Sequence, residues 1–229
     1  MPAVKAYKLI GIIIFVFACI LVVSVFPPKS SKDETWFQLD PIMLDKIEYK
    51  YGWAAKQRFV AWQKLMDTAK TIPERDQLQQ VNDFFNRNIE FSNDLVLWLK
   101  NDYWATPIEL LAKGAGDCED FSIAKYFTLI EIGVDENKLR ITYVTVLNLN
   151  IPHMVLTYFE LPRSIPLVLD NLKSDISLAT DRNDLLPIYS FNGSGLWLDK
   201  IKNNGLSVGN ADRLNKWADL KQRMMGKLR

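Results

Sequence analysis

The chain is poor in the residue types that most often announce chemistry: it has one histidine, His153, and two cysteines, Cys19 and Cys118, in 229 residues. Cys19 sits inside an apolar run near the N-terminus, so the rest of the chain carries a single thiol and a disulfide framework is excluded. An excess of either charge is also missing. With 28 Lys+Arg against 27 Asp+Glu there is no global field to attract nucleic acid or an acidic surface, and partners must be recognised by local features. Internal repeats, low-complexity tracts and EF-hand loops are absent too. What is present is enough apolar material, 48% of residues beside 24% charged, for one sizeable core and not for two.

Lys5 and Lys8 precede an uncharged apolar run over residues 9–26, closed by Pro27 and Pro28. That length fits a signal peptide with a long apolar region or an uncleaved anchor, and the basic residues ahead of it keep the N-terminus cytoplasmic. In either case the chain from Lys29 onward is expected outside the cytoplasm. Val22 and Ser24 permit a cut after Ser24, although no Ala-x-Ala pattern stands out, and the bulky Phe17 ahead of Cys19 argues against a lipid attachment site. The expected organisation is a signal peptide or membrane anchor over residues 1–28, a polar linker over 29–35 and one domain over 36–229.

Apolar residues at helical spacing from Ile42 to Leu65 predict helices interrupted near Gly52, and Leu78, Val81, Phe84 and Phe85 predict an amphipathic helix after Pro73. Thr106-Pro107-Ile108-Glu109 offers a capping oxygen, a proline at the first helical position and a Glu where a capping box needs it, with Gly114 able to end the helix. From Cys118 to Ile132 apolar residues occur nearly all round, which predicts a central buried helix. Beyond Gly133 the texture changes. Residues 141–149, 153–161 and 165–169 are rich in Val, Ile, Leu, Thr, Tyr and Phe and read as strands. Helices first and strands afterwards predict an α+β fold, with a central helix laid on an antiparallel sheet and a helical region ahead of it. The basic tail over 211–229 reads as a solvated surface helix.

Taken singly, a helix-start cysteine is usually a small buried hydrophobe, a lone histidine a hydrogen-bonded core or surface residue, and Asp170 a turn residue. Their joint placement says more: Cys118 at a helix start, His153 on a strand and Asp170 at the end of the next supply a nucleophile, a base and an orienter. Unpaired backbone N–H groups and the helix dipole favour a thiolate at Cys118, and an imidazole can pair with the sulfur and later protonate a leaving amine. Asp117, Glu119 and Asp120 oppose this, because three carboxylates within two positions of the sulfur push its pKa up. A divalent cation on those carboxylates would remove the conflict, and hard oxygen ligands suit calcium better than zinc; plain N-terminal capping is the competing reading. Trp104 could wall a substrate cleft or help hold an oxyanion, but core packing is the more ordinary role of an aromatic ahead of a capped helix.

The segments Trp104-Ala105-Thr106-Pro107, Gly116-Asp117-Cys118-Glu119-Asp120-Phe121, Pro152-His153-Met154-Val155 and Val168-Leu169-Asp170-Asn171 resemble the bacterial transglutaminase-like cysteine proteinases of the LapG type. The resemblance covers roughly the whole expected domain. It implies a papain-like α+β core, a Cys118–His153–Asp170 triad, periplasmic residence and dependence on calcium (Ca2+), with Asp117, Glu119 and Asp120 among the ligands. It further implies that the substrate is a large surface adhesin, cut near its N-terminal retention module to promote biofilm dispersal. The inhibitory partner it implies is an inner-membrane cyclic-di-GMP receptor of the LapD type, which sequesters the protease. Two alternatives share the residues: a transglutaminase-like acyltransferase on the same triad, and a calcium-binding interaction module with an inert Cys118.

Overall fold

The computed structural model describes residues 37, 39–198 and 206–226. The expected leader and the whole of the expected linker lie outside the described residues. Among the described residues no helix is long and apolar enough to cross a membrane.

Helices come first. α1 (Pro41–Tyr51) starts at Asp40, whose side chain accepts the Met43 N–H, and it stops at Gly52, whose φ of 87° is open to glycine at little cost. α2 (Trp53–Ala69) buries Ala55, Phe59, Trp62, Met66 and Ala69 along one stripe. α3 (Glu74–Asn88) follows Pro73 and buries Leu78, Val81 and Phe85. A two-residue strand β1 (Glu90–Phe91) and a short α4 (Asp94–Trp98) lead to α5 (Pro107–Lys113). There the capping box forms in full between Thr106 and Glu109, and Gly114 closes the helix with a φ of 72°. β2 (Ala115–Gly116) pairs in parallel with β1 and hands the chain to α6 (Cys118–Glu131), which is buried over ten consecutive residues from Asp120 to Leu129.

The rest is mainly one antiparallel sheet of seven strands in the order β6-β5-β4-β3-β7-β8-β9. Its members are β3 (Leu139–Val146), β4 (Ile151–Tyr158), β5 (Leu167–Leu169), β6 (Ser177–Leu178), β7 (Leu185–Phe191), β8 (Leu196–Leu198) and β9 (Leu206–Gly209). α6 packs on β3 and β4, so the α+β arrangement of a central helix on an antiparallel sheet, preceded by helices, is the observed fold. Strands β3 and β4 begin two residues earlier than the sequence pattern suggests. The hairpin between them turns through Asn150 at a φ of 52°, a left-handed conformation that asparagine tolerates.

The tail differs from the expected solvated helix. α7 (Asn215–Gly226) buries Trp217, Leu220 and Met224, and Trp217 stacks on Phe127 of α6 with ring centroids 5.6 Å apart. The apolar stripe at positions 217, 220 and 224 outweighs the basic residues between them, of which Arg223 turns inward to Tyr103, Glu109 and the Trp104 carbonyl.

Candidate active site

Three elements converge on the site. Cys118 is the first residue of α6, His153 lies on β4 opposite Val144 of β3, and Asp170 follows the last residue of β5. His153 and Asp170 meet: ring Nε2 lies 2.7 Å from Asp170 Oδ1, with the two residues only 4% and 1% exposed. Asp170 also receives the Leu172 N–H at Oδ1 and an Arg182 guanidinium N–H at Oδ2, the latter at 2.7 Å. Burial alone would raise this carboxyl, but the His153 bond and charge, the Leu172 amide and Arg182 outweigh it and hold it below the usual carboxylate range. An ionised carboxylate only accepts, so Nε2 carries the ring proton and Nδ1 is the basic nitrogen. The backbone of Asp170 is fixed as well, its carbonyl accepting from the Asn86 side chain of α3 at 2.8 Å.

The Cys118 sulfur is faced by the backbone amide of Met154, the residue after His153, and its thiol donates to Glu119 Oε2 at 3.1 Å. Burial pushes the thiol up, and the charge and hydrogen bond of Glu119 and the charge of Asp117 push it further, against a smaller opposite effect of the Met154 amide.

The acidic residues divide in a way the sequence did not foretell. One oxygen each from Asp94, Asp117 and Glu119 lie within 4.8 Å of one another. Asp117 makes no side-chain cap to α6, which removes plain capping as the account of that residue, and its Oδ1 is buried without a partner. Asp94 accepts the Tyr103 N–H through Oδ2 and leaves its Oδ1 buried without a partner. Burial and then the Glu119, Asp120 and Asp94 charges push the Asp117 carboxyl up to about 9. Burial, followed by the Glu119 charge, raises Asp94. Such a set of hard, under-satisfied oxygens fits a calcium ion. Asp120, also expected as a ligand, lies outside the 4.8 Å cluster, although its Oδ2 is buried without a partner as well. It is fully buried, its Oδ1 accepts the Ala105 N–H at 2.7 Å, and a Cβ on Gly116 would come within 2.7 Å of its Oδ2, so glycine is what lets the chain pass there.

Trp104 is a core residue: it is 6% exposed and stacks on Phe191 of β7 at 5.6 Å with 11° between the rings. Its carbonyl accepts from Arg223 of α7. Two residues of the site were missed in the sequence. Asp94 follows Asn93 at the start of a helix and looks like any acidic first-turn residue, while Arg182 sits in a turn with no pattern around it.

A profile described as bacterial transglutaminase-like cysteine proteinase, BTLCP, matches residues 54–199. The structure is similar to EGTA-treated Legionella pneumophila LapG, with a TM-score of 0.70 and 44% identity, covering 79% of this chain and 97% of that one. It is similar to calcium-bound Legionella pneumophila LapG as well, with a TM-score of 0.69 and 42% identity, covering 81% of this chain and 99% of that one. No curated protein sequence matches at a significant level. The shared fold, the match over well over half the chain and the identity to LapG establish that this chain belongs to the bacterial transglutaminase-like cysteine proteinases.

Proposed function

We propose that this protein is a calcium-dependent cysteine endopeptidase of the periplasm with a Cys118–His153–Asp170 triad. Its substrate on this reading is the N-terminal region of a large cell-surface adhesin, whose release promotes biofilm dispersal. Sequestration by an inner-membrane cyclic-di-GMP receptor of the LapD type completes the proposal. The observation that carries the catalytic part is the 2.7 Å contact between His153 Nε2 and Asp170 beside a helix-start cysteine, because it leaves Nδ1 as the base.

In the first half-reaction Nδ1 takes the Cys118 thiol proton and the sulfur attacks the scissile carbonyl carbon, moving the π pair onto oxygen. Unpaired backbone N–H groups at the start of α6 are the donors available to that oxyanion. The imidazolium then protonates the amine as the C–N bond breaks, leaving a thioester on Cys118. In the second half-reaction a water gives a proton to Nδ1 and adds to the thioester. Its collapse releases the acid product and returns the thiol.

Asp94, Asp117 and Glu119 are the residues that would hold calcium, by the fit of their oxygens. A bound ion supplies positive charge that offsets the carboxylates raising the Cys118 thiol. Incubation with the N-terminal part of an adhesin from the same genome tests the whole reading. Two fragments are expected from the intact protein in calcium and none from Cys118→Ala at unchanged circular dichroism. A lysine cross-link as the product would establish acyl transfer instead.

A further inference from the structure

We propose that Arg182 is a positioning residue for the reaction, holding Asp170 ionised and aimed so that His153 keeps a single tautomer. This rests on the reading of Asp170 as the orienter of His153. The Asp170 side chain is fully buried, and its two oxygens are divided between His153 and the Leu172 amide on one side and Arg182 on the other. An orienting carboxylate in so dry a place needs a counter-charge. Without one it would take up a proton or turn to satisfy the free oxygen, and either change releases the imidazole N–H.

Arg182 is built to supply that charge. It is 4% exposed and ends a 3-10 turn over Ala179–Asp181. Its N–H is given to the Ala179 carbonyl, and its own carbonyl accepts from Leu185 at the start of β7. Its guanidinium is gripped from behind by Asp184, with Nε to Oδ1 at 2.9 Å and Nη2 to Oδ2 at 3.0 Å, and Asp184 also pairs with Lys173. Asp184 is anchored in turn, its carbonyl accepting the Leu147 N–H at the end of the β3 strand. The charge of Lys125 of α6 also reaches Asp170, but its ammonium bonds to Asn82 at 2.7 Å. Among the described residues Arg182 alone therefore fixes the second oxygen by direct contact, through the same Nη2 that Asp184 holds, and the two-point grip of Asp184 on Nε and Nη2 sets the direction of that bond as well as its charge.

The sole histidine makes the test clean, since 15N-histidine labelling of the protein gives one pair of ring nitrogen signals. The wild type should show the Nε2–H tautomer with a slowly exchanging ring proton. Arg182→Gln should give mixed tautomers, a fast-exchanging proton and a fall of at least about tenfold in iodoacetamide alkylation of Cys118, with the backbone amide spectrum otherwise kept. A single Nε2–H tautomer and an unchanged alkylation rate in that variant would overturn the proposal. If Arg182→Gln does not fold, Asp184→Asn decides, because it keeps Arg182 and loosens its grip: faster ring-proton exchange supports the proposal and unchanged exchange refutes it. A tautomer change in a protein whose Cys118 never reacts would keep this inference and reject the protease reading.

Discussion

Two sets of buried carboxylates flank the reacting groups, and they are treated oppositely. Asp170 has counter-charge within the chain, with Arg182 on one oxygen and His153 on the other, and its carboxyl is held below the ordinary range. Among the described residues neither Asp94 nor Asp117 is bonded to a cation. Lys216, whose charge reaches Asp94, is itself paired with Asp102, and both carboxyls are raised with an oxygen left unpartnered. One set is complete as folded, and the other has the form of a site whose positive charge comes from outside. On the proposed mechanism the difference separates orientation of the base, which the chain provides alone, from relief of the thiol, which waits on a cation.

The sharpest way to break the comparison is Asp170→Asn. An amide can turn its NH2 toward Nε2, which favours the wrong tautomer and leaves Arg182 without its carboxylate. Adhesin cleavage is expected to fall by about a thousandfold in kcat/KM. A loss of under about tenfold would show that the imidazole is oriented by other contacts.

A smaller effect, of unusual sign, is expected on the acidic side. The folded Asp117 carboxyl lies near 9 against an ordinary 3.8, so the folded protein holds that proton more tightly than the unfolded one. Its contribution to stability is full below about pH 4 and is lost as pH rises toward 9. Asp170, held low, runs the other way: its contribution is present above the ordinary value and is lost as pH falls through the folded value. Metal-free protein should therefore melt at lower temperature as pH rises from about 5 to 8, and calcium should flatten or reverse the slope. Asp94→Asn should raise the metal-free Tm by about 2–4 °C while weakening stabilisation by calcium, since it removes a repelling charge and a ligand together. A drop in metal-free Tm of the same size would mean that Asp94 is structural.

The least effect is expected at a side chain that contacts neither set. Trp104→Phe shortens a ring stacked on Phe191 and should cost about 1 kcal/mol in denaturant melts without changing the cleavage rate. A cleavage defect at full stability would return Trp104 to the cleft.

Local features of the fold were readable in the sequence because they are written in adjacent residues. The Thr106–Glu109 box, the Gly114 stop and the break at Gly52 all form as their spacing predicts. His153 and Asp170 were conspicuous through rarity and strand texture, and they meet across neighbouring strands β4 and β5. What stayed hidden depends on long-range pairing. β7 docks beside β3 with Ile141 opposite Phe191, a partnership that neither strand's pattern specifies. Asp94 reaches Asp117 through the β1–β2 pairing, where Phe91 lies opposite Gly116, and nothing near residue 94 marks it as more than a helix start. Arg182 becomes meaningful only once Asp170 is known to be buried. The tail departs from the expected solvated helix because its basic residues set its charge while the apolar residues Trp217, Leu220 and Met224 decide its packing.

The account is tested most directly by the alkylation rate of Cys118 in calcium and in EGTA, read on its own peptide by mass so that Cys19 does not interfere. If the unpaired acidic set suppresses the thiol, calcium should raise that rate by about tenfold or more, and Glu119→Gln, which removes the carboxylate that the thiol donates to, should raise the rate in EGTA. Equal rates in calcium and EGTA, with calcium binding shown by a raised Tm, would contradict it.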